Sequence, residues 1–211
     1  MHQEDRDNAI HWARNLLQQD FVVLDTETTG LGDNDEAVAI GVVDKNGNIM
    51  LDTLLCHAEH SSPEALAIHG ITWEMTRDAP HFKDVYPGLL EHLQAELYQA
   101  PHKPIWINQL PIIAYGLDFD LRILEQTINR YKLGALCPNH TSCTTNCVMR
   151  WFAQLYGEWN EYHGNYKWQK LTTAATYFRI NPSSAHSAAG DALATLRVVE
   201  GMARAKLRGE E

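Results

Sequence analysis

Apolar residues fall along the chain in blocks of two kinds, some at helical spacing and some in short continuous runs. Asp5 to Gln19 carries Ile10, Ala13, Leu16 and Leu17 at helical spacing and predicts an amphipathic helix. Phe21-Val22-Val23-Leu24 is a continuous apolar run, as expected of a strand buried on both faces. Ala37 to Val43 and Ile49 to Leu55 are two further strand candidates, joined through Asp44-Lys45-Asn46-Gly47-Asn48, whose Asn-Gly is a hairpin signal. Pro63 to His69 predicts a short helix with proline in its first turn, and Phe82 to Leu97 a longer one with Val85, Leu89, Leu93 and Leu97 on one stripe. Pro101 to Pro104 breaks the chain, and Ile105 to Tyr115 holds one or two strands. Asp118 is a candidate cap for a helix running to about Tyr131. Thr144 to Tyr156, Gln169 to Phe178 and Ala188 to Leu207 predict the remaining helices, and 157–168, rich in glycine and aromatics, reads as loop. A strand, an antiparallel pair, then alternating helices and strands predict an α/β domain with a mixed sheet.

Composition narrows the class. The 211 residues fit one domain, and the formal net charge of −10 argues against a basic DNA-coating protein. That acidity still permits a nucleic-acid enzyme, because bound divalent cations cancel charge locally. No apolar run approaches membrane-spanning length, and the first residues lack the basic-then-apolar order of a signal peptide, so a cytoplasmic protein is expected. Four cysteines, three of them within 137–147, do not form a secreted disulfide framework.

The sharpest chemistry is Asp25-Thr26-Glu27-Thr28-Thr29-Gly30, at the end of the best strand. Residues i and i+2 of a strand share a face, so Asp25 and Glu27 project together from the sheet's carboxyl edge. Two carboxylates that close repel unless a cation lies between them, and Mg²⁺ prefers such oxygen donors. Asp120 follows the apolar run Ile112-Ile113-Ala114 in the first turn of the next helix. In His186-Ser187-Ala188-Ala189-Gly190-Asp191 the histidine precedes the last helix, Ser187 is a candidate cap, and Asp191 lies one turn inside. Each piece alone has a bland explanation, as a polar strand end or a capped helix. Together, four carboxylates and one histidine are the parts needed for two-metal hydrolysis of a phosphodiester, with His186 a plausible base.

These three segments resemble the motifs of the DEDDh branch of the DnaQ-like exonucleases, within the ribonuclease-H-like fold. The first motif is Phe21 to Leu31, the second Ile113 to Asp120 ahead of Leu121-Arg122-Ile123-Leu124, the third Ala185 to Ala192, with a further family-like stretch at Ala67 to Thr72. The resemblance spans about Phe21 to Ala203 in order. It implies a mixed sheet, the first three strands antiparallel and later ones parallel, flanked by helices. It implies one exonuclease domain over 21–207, preceded by a helical extension at 1–20. It further implies 3′→5′ cleavage with two Mg²⁺ or Mn²⁺ ions, Asp25, Glu27, Asp120 and Asp191 as ligands and His186 as general base. Thr28, Leu31, His69, Gly70 and Ile71 would contact the terminal nucleotide. The implied partners are single-stranded DNA or RNA 3′ ends, DNA before RNA. An exoribonuclease of the same fold and a catalytically weak nucleic-acid- or partner-binding domain are the alternatives. The chain departs from the pattern at Gly116, where many relatives carry asparagine, and at Ala39, where relatives often carry glutamate. No clamp- or polymerase-binding tail follows Met202, so a replicative proofreading role gains no support.

Other patterns compete for attention. Cys137, His140, Cys143 and Cys147 can be drawn as a zinc site, although reduced cysteines at a helix start are the simpler reading. Trp159, Tyr162, Tyr166 and Trp168, with Lys167 and Lys170, form either a base-stacking platform or a cover over the core. Cys56-His57-Ala58-Glu59-His60 and Asp33-Asn34-Asp35-Glu36 read as a solvated turn and a solvated loop. The first helix has an apolar stripe suited to homodimerisation, to docking on a larger nucleic-acid-processing assembly, or to packing on its own domain.

Overall fold

The chain opens with α1 (Gln3–Leu16), whose apolar stripe is used inside the molecule: Ala9, Ile10 and Ala13 are fully buried. The structure is a computed structural model and describes residues 3–57, 61–99, 104–107, 110–137, 146–181 and 187–210. After α1 come β1 (Val22–Thr28), β2 (Ala37–Asp44) and β3 (Ile49–Leu54), then α2 (Pro63–His69), α3 (Trp73–Thr76) and α4 (Phe82–His92). Next follow β4 (Glu96–Gln99), β5 (Pro104–Ile107), β6 (Ile112–Ile113), α5 (Leu117–Arg130), β7 (Ala135–Cys137) and α6 (Val148–Tyr156). A hairpin of β8 (Trp159–Asn160) and β9 (Asn165–Tyr166), then α7 (Leu171–Tyr177) and α8 (Ala188–Arg204), complete the chain.

The main sheet has the order β3-β2-β1-β6. β1 runs antiparallel to β2, β2 antiparallel to β3, and β6 parallel to β1. The turn between β2 and β3 is the expected Asn-Gly one: Gly47 sits at φ 85°, and the Asp44 carboxylate accepts from the backbone of Asn46 and Asn48. Alternation along β1 sends its side chains to two different cores. Val22 and Leu24 join Ile40, Val42 and residues of α4 and α5 on one face. Val23 joins residues of α1, α6, α7 and α8 on the other.

Several expectations change in three dimensions. The later strands do not all extend the main sheet: β4, β5 and β7 form a second sheet, with β4 and β5 antiparallel and β5 and β7 parallel. The helix expected over Phe82 to Leu97 stops at His92. Gln94 turns to φ 50° and its amide donates back to the Glu91 carbonyl, which frees Leu97 to pair in β4. Segment 157–168 contains the β8–β9 hairpin, closed by the Trp159 and Tyr166 rings packed edge to face at 5.0 Å. Tyr166 also donates to Asp5 of α1, so two of the four aromatics brace the fold, while Tyr162 and Trp168 are exposed. Asp118 is not the cap of α5, whose cap position is Gly116; its carboxylate pairs with Arg150 of α6.

α1 belongs to the same core as the sheet. Trp12 stacks on Trp151 at 5.3 Å, and Arg14 donates to the carbonyls of Ala203 and Ala205 at the end of α8. The Arg14 guanidinium beside Glu210 also holds that carboxyl down, at about 2. Among the described residues, no helix is long and apolar enough to cross a membrane.

Candidate active site

β1 carries two carboxylates to one face of the sheet. Asp25 and Glu27 continue the Val23 row, the row over which α8 packs. Asp191 comes from the first turn of α8, which starts where the Ser187 hydroxyl accepts from the Gly190 amide at 3.2 Å. One carboxyl oxygen from each of Asp25, Glu27 and Asp191 lies within 4.8 Å of the others.

A glycine sets how close α8 can come. Gly41 is the antiparallel partner of Asp25 on β2. A Cβ at Gly41 would stand 2.2 Å from the Ala189 amide nitrogen and 2.3 Å from the Ala188 carbonyl carbon. Only a residue without a side chain lets the backbone of α8 rest on the strand there, one turn before Asp191. The relation between Gly41 and the acids is invisible in sequence, where they are far apart.

Asp120 reaches this group from α5. β6 pairs with β1 only through Val22 and Val23, so the strands diverge beyond that point. Asp120, at the start of α5, occupies the crevice and its Oδ1 accepts from the Thr26 amide at 3.0 Å and the Thr26 hydroxyl at 2.9 Å. Thr26 therefore holds Asp120 beside the three-acid group, although it reads in sequence as mere spacing between Asp25 and Glu27.

The electrostatics match a site built for positive charge. Burial lifts the Asp25 carboxyl well above the usual carboxylate range, and the charges of Asp120, Asp191 and Glu27 lift it further. Burial, and then Asp191, pushes Glu27 up to about 7. Asp120 is likewise raised by burial to about 7, against the pull of the Thr26 hydrogen bonds toward its ionised form. An all-oxygen cluster of this kind fits a hard divalent cation, which relieves the repulsion.

Beside Glu27 lies a cavity of about 210 Å³, walled by Thr26, Thr28, Leu31, Ile68, His69 and Phe119 among others. Leu31 is 77% exposed and Ile68 63%, so apolar surface faces solvent at its rim. His69 is a brace: its Nδ1 accepts from the Ile71 amide at 2.9 Å, so Nε2 carries the proton and donates to the Thr28 carbonyl at 3.1 Å. Burial lowers its pKa, partly offset by that second bond. Thr28, Leu31 and His69 thus line the cavity. Gly70 ends α2 at φ 68°, and Ile71 is buried against Val38, Ala39 and Ala188, so neither is among the lining residues. Phe119 and Ile68 were not singled out from the sequence. Phe119 adjoins Asp120, and Ile68 lies on a helix with no buried residue, so its side chain is left to face the cavity.

Other expected features fall elsewhere. His186 lies outside the described residues, as do His140 and Cys143 of the drawn zinc set. Cys147 is a core residue whose thiol donates to the Tyr115 carbonyl at 3.3 Å. His57 is buried rather than solvated, its Nδ1 on the Leu55 carbonyl. The acidic run is also not freely solvated. Asp35 accepts from the Thr29 hydroxyl and the Gly32 amide, both at 2.6 Å, and the buried Glu36 faces Arg130 at 3.5 Å.

The exonuclease family model RNase_T matches residues 22–199. A curated relative, an uncharacterized exonuclease CP81 of Escherichia phage 186, is 34% identical over 198 residues, covering 91% of this chain and 92% of its own. Among solved structures, E. coli exonuclease I in complex with a dT13 oligonucleotide superposes with a TM-score of 0.61 at 17% identity, over 87% of this chain and 40% of that one. Exonuclease X in complex with 5′ overhanging duplex DNA gives 0.52 at 20% identity, over 89% and 95%. The last two establish the shared fold. The first two, with the three motifs in order on that fold, establish descent: the chain belongs to the RNase_T exonucleases, the DnaQ-like group with a ribonuclease-H-like fold.

Proposed function

We propose that this nuclease is a divalent-metal-dependent 3′→5′ exonuclease acting on single-stranded ends, DNA before RNA, and releasing nucleoside 5′-monophosphates. The observation that carries the reading is the meeting of Asp25, Glu27 and Asp191 within 4.8 Å, next to a cavity with apolar walls. Asp25, Glu27 and Asp191 would hold Mg²⁺ or Mn²⁺, with Asp120 from α5 completing the set. When bound, two such ions neutralise the phosphodiester and make water a nucleophile near neutral pH. The cavity receives the terminal nucleotide: Leu31, Ile68 and Phe119 offer apolar and aromatic surface to the base. Thr28 and its neighbours fix the last phosphodiester beside Glu27. His186, one residue before the cap of α8, takes the proton from the attacking water. The preference for DNA draws on the oligonucleotide in the exonuclease I structure.

The test uses 5′-labelled single-stranded DNA and RNA of matched sequence, with Mg²⁺ or with chelator. A ladder shortening from the 3′ end, absent with chelator and in Asp25→Asn, is expected, with DNA degraded faster. Undiminished cleavage by Asp25→Asn would refute the site. His186→Ala should slow turnover while Mn²⁺ affinity by calorimetry stays near that of the unaltered chain; an equal loss of affinity contradicts the base assignment.

A further inference from the structure

Residues 29–36 join β1 to β2 as an irregular loop, yet four of its carbonyls, those of Leu31, Gly32, Asn34 and Asp35, are held by side chains of one helix. Arg122 Nη2 donates to the Leu31 carbonyl at 3.2 Å and Nη1 reaches the Gly32 carbonyl at 3.4 Å. Gln126, with its amide oriented to satisfy both ends, donates to the Asp35 carbonyl at 2.9 Å and accepts from Arg122 Nη1 at 3.1 Å. Arg130 donates to the Asn34 carbonyl, and the Thr127 hydroxyl accepts from the Ala37 amide at 3.1 Å. Residues 122, 126 and 130 are spaced at one helical turn each, so they form a single stripe along α5.

Arg122 alone on that stripe also touches the cavity's other wall. Its guanidinium lies over the Phe119 ring, 5.3 Å from the centroid. Leu31 and Phe119 both line the cavity, one from the loop and one from α5, and a single planar group meets both segments. We propose that Arg122 is a positioning residue: it locks Leu31 to Phe119 and so sets the gap that receives the terminal nucleotide of a single-stranded substrate. The inference rests on the reading of this cavity as the terminal-nucleotide site. Arginine is the residue type required, because its flat fork gives parallel donors to adjacent carbonyls while its face covers a ring, and lysine does neither. With donors committed to the loop carbonyls, Arg122 acts through the walls rather than on the substrate.

The test is a double-mutant cycle in steady-state kinetics on 5′-labelled single-stranded DNA. Arg122→Gln should raise KM roughly fivefold with kcat changed less than about twofold, the scale of losing one net hydrogen bond. Arg122→Lys should not restore KM, although it keeps the charge. Leu31→Ala should also raise KM, and Arg122→Gln with Leu31→Ala should be no worse than the more impaired single variant, since both remove the same wall. If the arginine were purely stabilising, its replacement would lower the melting temperature and add independently to Leu31→Ala. Additive effects, or an unchanged KM, overturn the proposal. Should Arg122→Gln fail to fold, Arg122→Lys carries the same cycle. If the unaltered chain does not shorten DNA, or Asp25→Asn shortens it equally well, the nuclease reading falls and this inference with it. An active chain silenced by Asp25→Asn but showing an additive cycle sinks Arg122 alone.

Discussion

The two halves of the site are built on opposite plans. The acid half sits on the most regular parts of the molecule, a central strand and the first turn of the longest described helix, and crowds like charges there. The cavity half is apolar and partly open, and beyond the strand end and Phe119 of α5 it is carried by a loop and by α2, a helix with no buried residue. Rigid elements are needed where repulsion must be resisted, because carboxylates on a soft segment would swing apart. On the proposed reading a loop suffices at the cavity, whose partner is a flat base, provided side chains such as Arg122 hold its backbone. The acid half therefore lowers the stability of the metal-free protein, and the cavity half is close to neutral for it.

The largest effect that would test this contrast comes from Glu27→Gln. Its turnover should fall on the order of 10²–10³, as for loss of one electrostatic contact at a reacting centre. Its stability should move the other way. Glu27 titrates near 7 in the folded chain and at 4.5 ordinarily, so the native state holds more protons between those values. Stability of the chelated protein therefore falls as pH rises from about 4.5 to 7, and is lowest above 7. The lowered carboxyls, such as Glu210 at about 2, gain their stability mainly below that window, as pH rises from about 2 to 4.5, so they do not cancel the trend across it. Removing the charge should return about 3 kcal/mol above pH 7, on the order of 10 °C in melting temperature at this chain length. Added Mn²⁺ should raise the melting temperature of the unaltered chain more at pH 7.5 than at pH 5.5. Calorimetric scans with chelator across that range check each statement, and a pH-independent melting temperature would contradict the acid half of the comparison.

Gly41→Ala should act next most strongly, and on the acid half alone. The added Cβ meets backbone, so α8 must lift, at a cost of about 2 kcal/mol in stability together with a loss of Mn²⁺ affinity. Gly201→Ala is the matched control. It presses on the Phe178 ring, 2.6 Å from the added atom, at a point of α8 several turns beyond Asp191. That control should lose stability and keep Mn²⁺ affinity, so unchanged affinity in Gly41→Ala would remove the glycine from the account of the site. Phe119→Ala should have the smallest effect, a rise in KM of about fivefold, near the lower end for base stacking, with turnover and melting temperature little altered. A fall in kcat with constant KM would place the ring in the chemistry instead of the cavity.

Much of this organisation was legible in one dimension, for physical reasons that differ by element. The strand before Asp25 could be read because a continuous apolar run ending in two acids has few other uses. The Asn-Gly turn could be read because its backbone conformation demands those residues. The end of α4 could not, since Leu93 and Leu97 continue a helical stripe, and only pairing of Leu97 with Trp106 favours the strand. Glu36 reads as solvated because its neighbours are acidic, yet Arg130, distant in sequence, allows it to be buried.

The sequence by itself pointed to the kind of chemistry, through four acids and a histidine in order, and its alternation and turn residues implied an α/β class with a mixed sheet. Only the tertiary structure decided how those parts meet. Thr26 holds Asp120 where β1 and β6 diverge, Gly41 lets α8 bring Asp191 to Asp25, and α5 ties Leu31 to Phe119. Local pattern reports burial and element type, because these repeat every two or every three to four residues. The approach of one element to another depends on contacts between residues far apart in the chain, and no local periodicity records it.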